Sequence, residues 1–267
     1  MNKRYNLEDI TFLIPVRIDS IERLENILTN VSSLLKVSHT NIIVLEADNY
    51  NNRILERLLP SVVKYIFRRN DDPIFHRTKY INEMAKISTS KIICIWDSDV
   101  IVDVEQLKQA RDAIIENNYD VAFPYDGKFY EVTNIIRDIY IESLDFSILY
   151  SNIAKFTLLY NGIQNGGGIL ISISAFNATG CEDEAFYGWG PEDWNRIEKW
   201  NILGLKIFRS PGPLFHLSHP RNINSKYNSK IQQRRLNQLL YDTRDSSVND
   251  ILNRINNPDY NNDKYQL

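Results

Sequence analysis

The sequence predicts an α/β fold in which a mostly parallel, Rossmann-like sheet carries helices on both faces. Short apolar runs bounded by polar residues alternate with segments whose apolar residues recur at helical spacing, and this alternation is typical of such sheets. The predicted strands of the first half cover residues 10–16, 41–45, 62–67, 92–96 and 121–124. The predicted helices cover residues 21–35, 53–59 and 78–87 and a segment capped by Asp103. Open α/β sheets bind ligands outside the carboxyl ends of their strands, so we expect the site there.

Length, composition and charge limit the function classes. The 267 residues suffice for one large α/β domain with appendages. A net charge of -3 lacks the excess of positive charge that is typical of nucleic-acid-binding domains, so no nucleic acid partner is expected. The two cysteines, Cys94 and Cys181, do not make a disulfide framework. No apolar segment approaches the ~20 residues that span a bilayer, and the N-terminus has no secretory pattern, so we expect a cytoplasmic protein.

The predicted strand over residues 92–96 ends in two carboxylates, Asp97 and Asp99. Two carboxylates at one strand end repel each other unless a cation lies between them, and hard divalent cations take oxygen ligands. The pattern therefore predicts a metal that holds a phosphorylated substrate. The alternative is that both acids only cap the next helix or begin a loop.

The first half of the chain, residues 10–124, reads as a nucleotide-binding unit without a phosphate-binding glycine motif. Neither G-x-G-x-x-G nor G-x-x-x-x-G-K-[ST] occurs. The charge of a diphosphate would have to be met by a metal and by basic side chains. Arg17, Arg77 and Lys79 are the candidates, and solvated surface charge is the alternative for each of them.

The stretch Tyr187-Gly-Trp-Gly-Pro-Glu-Asp-Trp194 is the most unusual in the chain. Pro191 fits the first turn of a helix, and Glu192 and Asp193 follow it where the helix dipole favours anions. An indole such as Trp189 stacks on the apolar face of a sugar ring, and a carboxylate accepts hydrogen bonds from sugar hydroxyls. One carboxylate could also act as general base. The alternative is that both acids only serve the helix start.

Two further clusters lie in the second half of the chain. Gly166-Gly-Gly168 precedes a predicted strand over residues 169–173 and would let the backbone approach a ligand closely, although a flexible turn is the alternative. His216 and His219 lie three residues apart in one predicted loop. Either imidazole could reach a metal held by Asp99, and imidazole suits Mn²⁺ better than Mg²⁺.

Taken in order, these motifs resemble the nucleotide-sugar glycosyltransferases of the GT-A fold. The resemblance rests on the D-x-D after a strand, the glycine-rich strand start, Gly188-Trp-Gly-Pro-Glu-Asp193 and His216-Leu-Ser-His219. The sequence is most similar to the galactosyltransferase C-terminal type and to bacterial chondroitin-polymerase-like enzymes. The resemblance covers residues 10–222. It implies a GT-A domain over residues 1–222, with a nucleotide-binding half at 10–124 and an acceptor and metal half at 125–222. A helical extension and tail would follow at 223–267.

The resemblance also implies roles for individual residues. The metal, Mn²⁺ or alternatively Mg²⁺, would be held by Asp97, Asp99, His216 and His219, with Asp99 as direct ligand. Contacts to the nucleotide would come from Pro15, Arg17, Asp48, Arg77, Asn82 and Asp97. Sugars would be held by Gly167, Gly168, Trp189, Gly190 and Glu192. Asp193 would be the catalytic base and would also contact the acceptor.

The implied activity is the metal-dependent, inverting transfer of a sugar from a UDP-sugar to a glycan or a lipid-linked glycan. Three alternatives stay open: a retaining N-acetylhexosaminyltransferase, which would carry Asn in place of Asp193, a sugar-nucleotide transferase, and a non-catalytic glycan-binding module. The C-terminal segment holds a basic cluster, Lys226, Lys230, Arg234 and Arg235. This cluster leaves peripheral contact with the inner face of a membrane open, against the alternative of a solvated helix face.

Overall fold

The computed structural model describes residues 4–257 as an α/β fold. Its strands are β1 (Tyr5–Val16), β2 (Ser38–Asp48), β3 (Lys64–Arg69), β4 (Ile92–Trp96), β5 (Val100–Ile101), β6 (Val121–Phe123), β7 (Phe129–Val132), β8 (Thr157–Leu158), β9 (Gly168–Ser172), β10 (Ile207–Arg209) and β11 (Leu214–Leu217). Its α-helices are α1 (Ile21–Val37), α2 (Ile54–Leu58), α3 (Arg77–Ile87), α4 (Val104–Glu116), α5 (Asn134–Ser143), α6 (Phe146–Ser151), α7 (Ile173–Ala178), α8 (Glu192–Ile202), α9 (Lys230–Arg244) and α10 (Val248–Asn256).

The main sheet has seven strands in the order β10-β6-β9-β4-β1-β2-β3. Four of its six neighbouring pairs are parallel, and β9 runs antiparallel between β4 and β6. Helices α1, α3 and α4 pack on β2, β1 and β6, respectively. The predicted mixed, mostly parallel α/β sheet is therefore confirmed.

Strand β4 lies at the centre of the sheet and is buried along its whole length. The ring of Trp96, its last residue, meets the ring of Phe12 edge-on at 5.3 Å between centroids. The indole N–H of Trp96 donates to Asn30 Oδ1 on α1 at 2.9 Å, so the buried polar atom is satisfied. The amide nitrogen of the same Asn30 donates to the carbonyls of Asp97 at 3.2 Å and Val100 at 2.7 Å. One buried side chain thus fixes the turn that carries Asp97 and Asp99.

The start of α1 differs from the prediction. Ser20 is the N-cap, and its hydroxyl accepts from the backbone N–H of Arg23 at 3.2 Å. The spacing of Asp19 and Glu22 predicts a capping box at this helix start, but the carboxylate of Asp19 instead accepts from the Arg23 guanidinium at 2.9 Å. The predicted cap of α4 by Asp103 is confirmed.

A second sheet of four strands, in the order β5-β11-β7-β8, is built by the part of the chain after residue 97. Residues 128–160 hold aromatic and aliphatic residues without a clean period, and the sequence predicts only helices and a substrate-side insertion there. The segment contains β7 and β8 in addition to α5 and α6. Strand β11 pairs with β5 so that His216 lies opposite Val100, and it pairs with β7 so that His216 also lies opposite Glu131. This register brings His216 next to the Asp97–Asp99 turn.

The C-terminal segment begins with the predicted helix, α9, which packs on α8. Ile231, Leu236, Leu239 and Leu240 recur on roughly one helical face, which predicts that this face covers the domain. The three leucines are buried, whereas Ile231 is 67% exposed. A further helix, α10, was not predicted. The Asn- and Asp-rich end of the chain predicts a poorly ordered segment, and this prediction falls on residues 258–267, which lie outside the described residues. Within residues 4–257, no helix has the length and the hydropathy needed to cross a bilayer.

Candidate active site

A cavity of about 450 Å³ opens at the carboxyl edge of the main sheet. Its wall includes Pro15 and Arg17 at the end of β1, Asp97 and Asp99 after β4, and the first turn of α8. The volume is within the ~300–1,000 Å³ of ordinary ligand sites, and the location is the one expected for an open α/β sheet. The cavity is therefore the candidate active site.

Asp99, His216 and His219 form one cluster in this cavity. Ligand atoms of the three side chains all lie within 4.8 Å of one another. His219 Nε2 is 3.0 Å from Asp99 Oδ2, and His216 Nε2 is 3.7 Å from Asp99 Oδ1. The structure thus brings together three of the four predicted metal-binding side chains. One carboxylate and two imidazoles are a donor set that suits Mn²⁺ better than Mg²⁺.

Glu131, on β7, binds the ring nitrogen of His216 that does not face Asp99. Its Oε2 atom is 2.6 Å from His216 Nδ1. A carboxylate on one ring nitrogen sets the tautomer and the orientation of the imidazole, so that the other nitrogen, Nε2, faces Asp99. Glu131 was not predicted as a site residue. Nothing in the sequence pairs it with His216, because that pairing depends on a parallel β7–β11 contact between distant segments.

Arg23, on α1, borders the same cluster and was also missed. Its guanidinium nitrogens lie 3.6 Å from Asp99 Oδ2 and 3.3 Å from His219 Nδ1. Burial acts to raise the pKa of Asp99, but His216, His219 and Arg23 outweigh it and hold that pKa below its usual range. Burial acts to lower the pKa of His216, but the carboxylates of Asp99 and Glu131 outweigh it and raise that pKa.

Asp97 is not one of the three side chains of this cluster. Its Oδ1 atom accepts from Arg77 Nη2 at 2.6 Å. The cluster therefore gives no support to the prediction that Asp97 is a metal ligand. Both Asp97 and Arg77 line the cavity, and their predicted contacts with the nucleotide stay a prediction.

Asp193, in the first turn of α8, also lines the cavity and is held by arginines. Its Oδ1 atom is 2.6 Å from Arg196 Nη1 and 3.8 Å from Arg77 Nη1. The buried Arg196 in turn makes two bonds, of 2.7 and 2.6 Å, to the carboxylate of Glu182. Because Arg77 also binds Asp97, the structure links the D-x-D and the predicted base through one guanidinium.

The glycine run divides between the cavity and the core. Gly166 lies directly against Asp193 Oδ2, where a side chain would displace the carboxylate. Gly167, at φ +80°, also lines the cavity. Gly168 instead pairs with Trp96 in the sheet, and a Cβ there would collide with the indole ring. Gly168 thus serves the packing of the core, and its predicted contact with a sugar does not agree with this placement.

Trp189 and Glu192 face the cavity beside Asp193. The indole of Trp189 is 38% exposed and meets the ring of Tyr227 edge-on, with 4.9 Å between the ring centres. Gly190, which also lines the cavity, packs on Leu236 of α9. The Oε2 atom of Glu192 is buried without a hydrogen-bond partner in the described structure. Burial and the charge of Asp193 raise the pKa of Glu192 to about 8, so this carboxyl is largely protonated at neutral pH.

Pro15, Arg17 and Phe75 form another part of the cavity wall. Arg17 donates to the carbonyls of Ala47 at 2.9 Å and Pro73 at 2.7 Å. Its guanidinium lies 5.8 Å from the centre of the Phe75 ring. Phe75 was not predicted as a site residue, although it lies only two positions before Arg77 in the sequence. A flat ring next to a fixed cation is suited to a planar base.

Asp48 and Asn82 do not line the cavity, so the structure does not support their predicted contacts with a nucleotide. The Asn82 amide donates to the carbonyl of Glu182 at 3.0 Å and accepts from its backbone N–H at 2.9 Å. Asn82 therefore fixes the segment whose carboxylate binds Arg196. Asp48 caps its own strand end through the N–H of Asn49 at 2.7 Å.

No protein-family model and no curated protein matches this sequence. Among solved structures, the catalytic domain of Drosophila beta-1,4-galactosyltransferase 7 in complex with xylobiose is 16% identical, with 86% of this chain and 79% of that chain covered and a TM-score of 0.50. A variant of that enzyme in complex with manganese, UDP-Gal and xylobiose is 15% identical over the same shares, with a TM-score of 0.51. Glucosyl-3-phosphoglycerate synthase from Mycobacterium tuberculosis is 15% identical over 79% of this chain and 71% of that chain, with a TM-score of 0.49. The chain thus shares the fold of the Drosophila galactosyltransferase domain, which is the GT-A fold that the sequence predicts.

Proposed function

We propose that this protein is a metal-dependent, inverting glycosyltransferase that transfers a hexosyl or N-acetylhexosaminyl group from a UDP-sugar to a hydroxyl of a glycan. One observation carries the proposal. The cluster of Asp99, His216 and His219 lines the same cavity as the carboxylate of Asp193 and the indole of Trp189. A metal-diphosphate site and a sugar site with a base are the two parts that this reaction needs.

The residues present fit a resident Mn²⁺ ion. Asp99 is held in its ionised form, and Glu131 fixes the His216 ring so that its Nε2 atom faces that carboxylate. The ion, when bound, supplies Lewis-acid stabilisation of the departing diphosphate. Arg77, held in place by its bond to Asp97, adds N–H donors at the edge of the diphosphate site.

The nucleotide would lie at the end of the cavity formed by Pro15, Arg17 and Phe75. The base stacks on Phe75, and Arg17, fixed by two backbone carbonyls, borders the ring. The Drosophila enzyme with this fold was solved with manganese and UDP-Gal, which supports the choice of UDP as the nucleotide to test.

Asp193 acts on the acceptor. Its Oδ2 atom takes the proton of an acceptor hydroxyl, and the hydroxyl oxygen attacks the anomeric carbon of the donor. The bond between that carbon and the UDP oxygen breaks, and its electron pair leaves with UDP. Attack opposite the leaving group inverts the configuration, so an α-linked donor gives a β-linked product. Trp189 and Glu192 hold the sugar rings against the base.

Calorimetric titration of UDP tests the donor site. We expect binding in the presence of Mn²⁺ and loss of that binding when EDTA replaces the metal. A panel of UDP-sugars, followed by slow hydrolysis, would then identify the donor. Absence of UDP binding under both conditions would contradict the proposal.

The linkage of the product tests the mechanism. We expect a β-linkage from an α-linked donor, read from the anomeric coupling in the proton NMR spectrum. An α-linked product would instead favour a retaining N-acetylhexosaminyltransferase. Tight UDP binding without turnover on any acceptor would favour a glycan-binding module.

A further inference from the structure

Helix α9 presents a basic and partly apolar face to solvent. Its inner face buries Leu236, Leu239 and Leu240. Its outer face carries Lys230, Ile231, Arg234 and Arg235, all of them exposed. Residues four apart on a helix are neighbours, so Lys230 lies beside Arg234 and Ile231 beside Arg235. We refer to these four residues as the basic face.

The cations of the basic face have no partner within the described residues 4–257. Within residues 4–257, the side chains of Lys230, Arg234 and Arg235 form no ion pair or hydrogen bond, and the same holds for the exposed Lys226 just before the helix. By contrast, Arg244 at the end of the same helix pairs with an acid of α8 at 2.8 Å. The whole chain carries a net charge of -3, so four unpaired cations around one helix are a local concentration of charge.

An apolar side chain lies among these cations. Ile231 is 67% exposed, although the helix has a buried face that other apolar residues occupy, and Tyr241 on the outer side is 53% exposed. Basic residues bind anionic headgroups, and an exposed apolar side chain between them can enter the boundary with the acyl chains. A soluble polyanion offers no apolar surface that Ile231 could contact. The composition of this face therefore fits an anionic lipid surface better than a soluble anionic chain.

The inner side of α9 forms part of the support of the candidate active site. The side-chain amide of Gln232 donates to the carbonyl of Tyr187 at 2.9 Å, and Leu236 packs against Gly190. Tyr227, just before the helix, lines the cavity and contacts Trp189. A helix is roughly 10 Å across, so the basic face is about one helix diameter from the loop that carries Trp189.

We propose that the basic face docks on an anionic lipid surface and that the glycan acceptor is attached to a lipid in that surface. Docking through α9 would place the Trp189 side of the cavity next to the membrane, where a lipid-linked glycan is presented. The statement about the acceptor rests on the proposed function. The statement about docking does not.

Vesicle flotation of the purified full chain tests the docking. We expect binding to vesicles of phosphatidylcholine mixed with phosphatidylglycerol, weaker binding at high salt, and no binding to phosphatidylcholine alone. Each basic residue removed should weaken binding about fivefold, so Arg234→Gln with Arg235→Gln should weaken it roughly 25-fold. Ile231→Ser should weaken it further.

A matched variant controls for net charge. Lys64→Gln with Lys91→Gln removes the same charge at the starts of β3 and β4, at the edge of the sheet opposite the cavity. This variant should bind the mixed vesicles as the unmodified chain does. An equal loss in this variant would overturn the proposal, and so would equal binding of the unmodified chain to both kinds of vesicle.

Two further measurements separate the remaining outcomes. Binding to soluble dextran sulfate that is as tight as binding to vesicles, and is unaffected by Ile231→Ser, would replace the lipid surface with a soluble anionic glycan as partner. Titration of UDP with Mn²⁺ should give the same affinity for every variant of the basic face, which confirms that they fold. If the unmodified chain binds vesicles but not UDP, only the proposed function and the acceptor statement fail.

Discussion

Replacing Glu131 with alanine should weaken Mn²⁺ binding although Glu131 is not one of the three clustered ligands. The bond between Glu131 Oε2 and His216 Nδ1 is 2.6 Å long, and the two side chains are only 27% and 8% exposed. A hydrogen bond to a charged group in such surroundings contributes about 1.5–3 kcal/mol. At about 1.4 kcal/mol per factor of ten, loss of this bond should lower the Mn²⁺ affinity by about 10- to 100-fold.

Calorimetric titration of Mn²⁺ into the metal-free protein measures this effect. Glu131→Gln keeps an oxygen that can accept from the imidazole but loses the charge, and we expect a loss of about tenfold or less. Glu142→Gln, an exposed position on α5 without an ion pair in the described structure, controls for net charge and should leave the affinity unchanged. An unchanged affinity in Glu131→Ala would show that His216 does not depend on Glu131, and would refute the metal site described above.

Three further changes test other parts of the site. Asp193→Asn should lower the turnover of the sugar transfer by about 10²–10⁴-fold while UDP binding persists, and full turnover would exclude Asp193 as the base. Glu192 has a pKa raised from 4.5 to about 8, so its contribution to the free energy of unfolding is present below pH 4.5 and is lost as the pH rises to about 8. Glu192→Gln should therefore stabilise the fold by about 1–3 kcal/mol at pH 8–9 and by little near pH 4.5 in thermal unfolding, and an equal effect at both pH values would contradict the burial argument. Gly168→Ala should destabilise the fold by about 1–3 kcal/mol, because its Cβ collides with the Trp96 ring, whereas Gly190→Ala meets only the end of a flexible leucine and should cost less in urea unfolding.

The sequence predicted six of the seven strands of the main sheet, all but β10, because their apolar patterns are local in the sequence. Strand β4 is five apolar residues between polar ones, and its predicted and observed bounds, Ile92–Trp96, coincide. The start of α4 follows from one capping residue, Asp103. The second sheet was not predicted. Strands β5 and β8 have two residues each, and such strands exist only because distant partners pair with them.

The site residues also divide into those with a local sequence pattern and those that come together only in the fold. Asp99, His216 and His219 were predicted because their residue types and order are typical of a metal site. The neighbours that tune them, Glu131 and Arg23, come from other elements and carry no local pattern. The bond between Asp97 and Arg77 was not predicted for a related reason, since the guanidinium comes from another element, α3.

The orientation of Asp193 shows how residues outside the motif complete it. The two guanidinium groups near Asp193 both approach Oδ1, which leaves Oδ2, beside Gly166, for the proton of an acceptor. Arg196 is already neutralised by its two bonds to Glu182, and Arg77 by its bond to Asp97. Because each arginine has an acid of its own, its contact with Asp193 serves to orient that carboxylate more than to neutralise it. The motif supplies the base, and the direction in which the base faces is set by acids from two other segments of the chain.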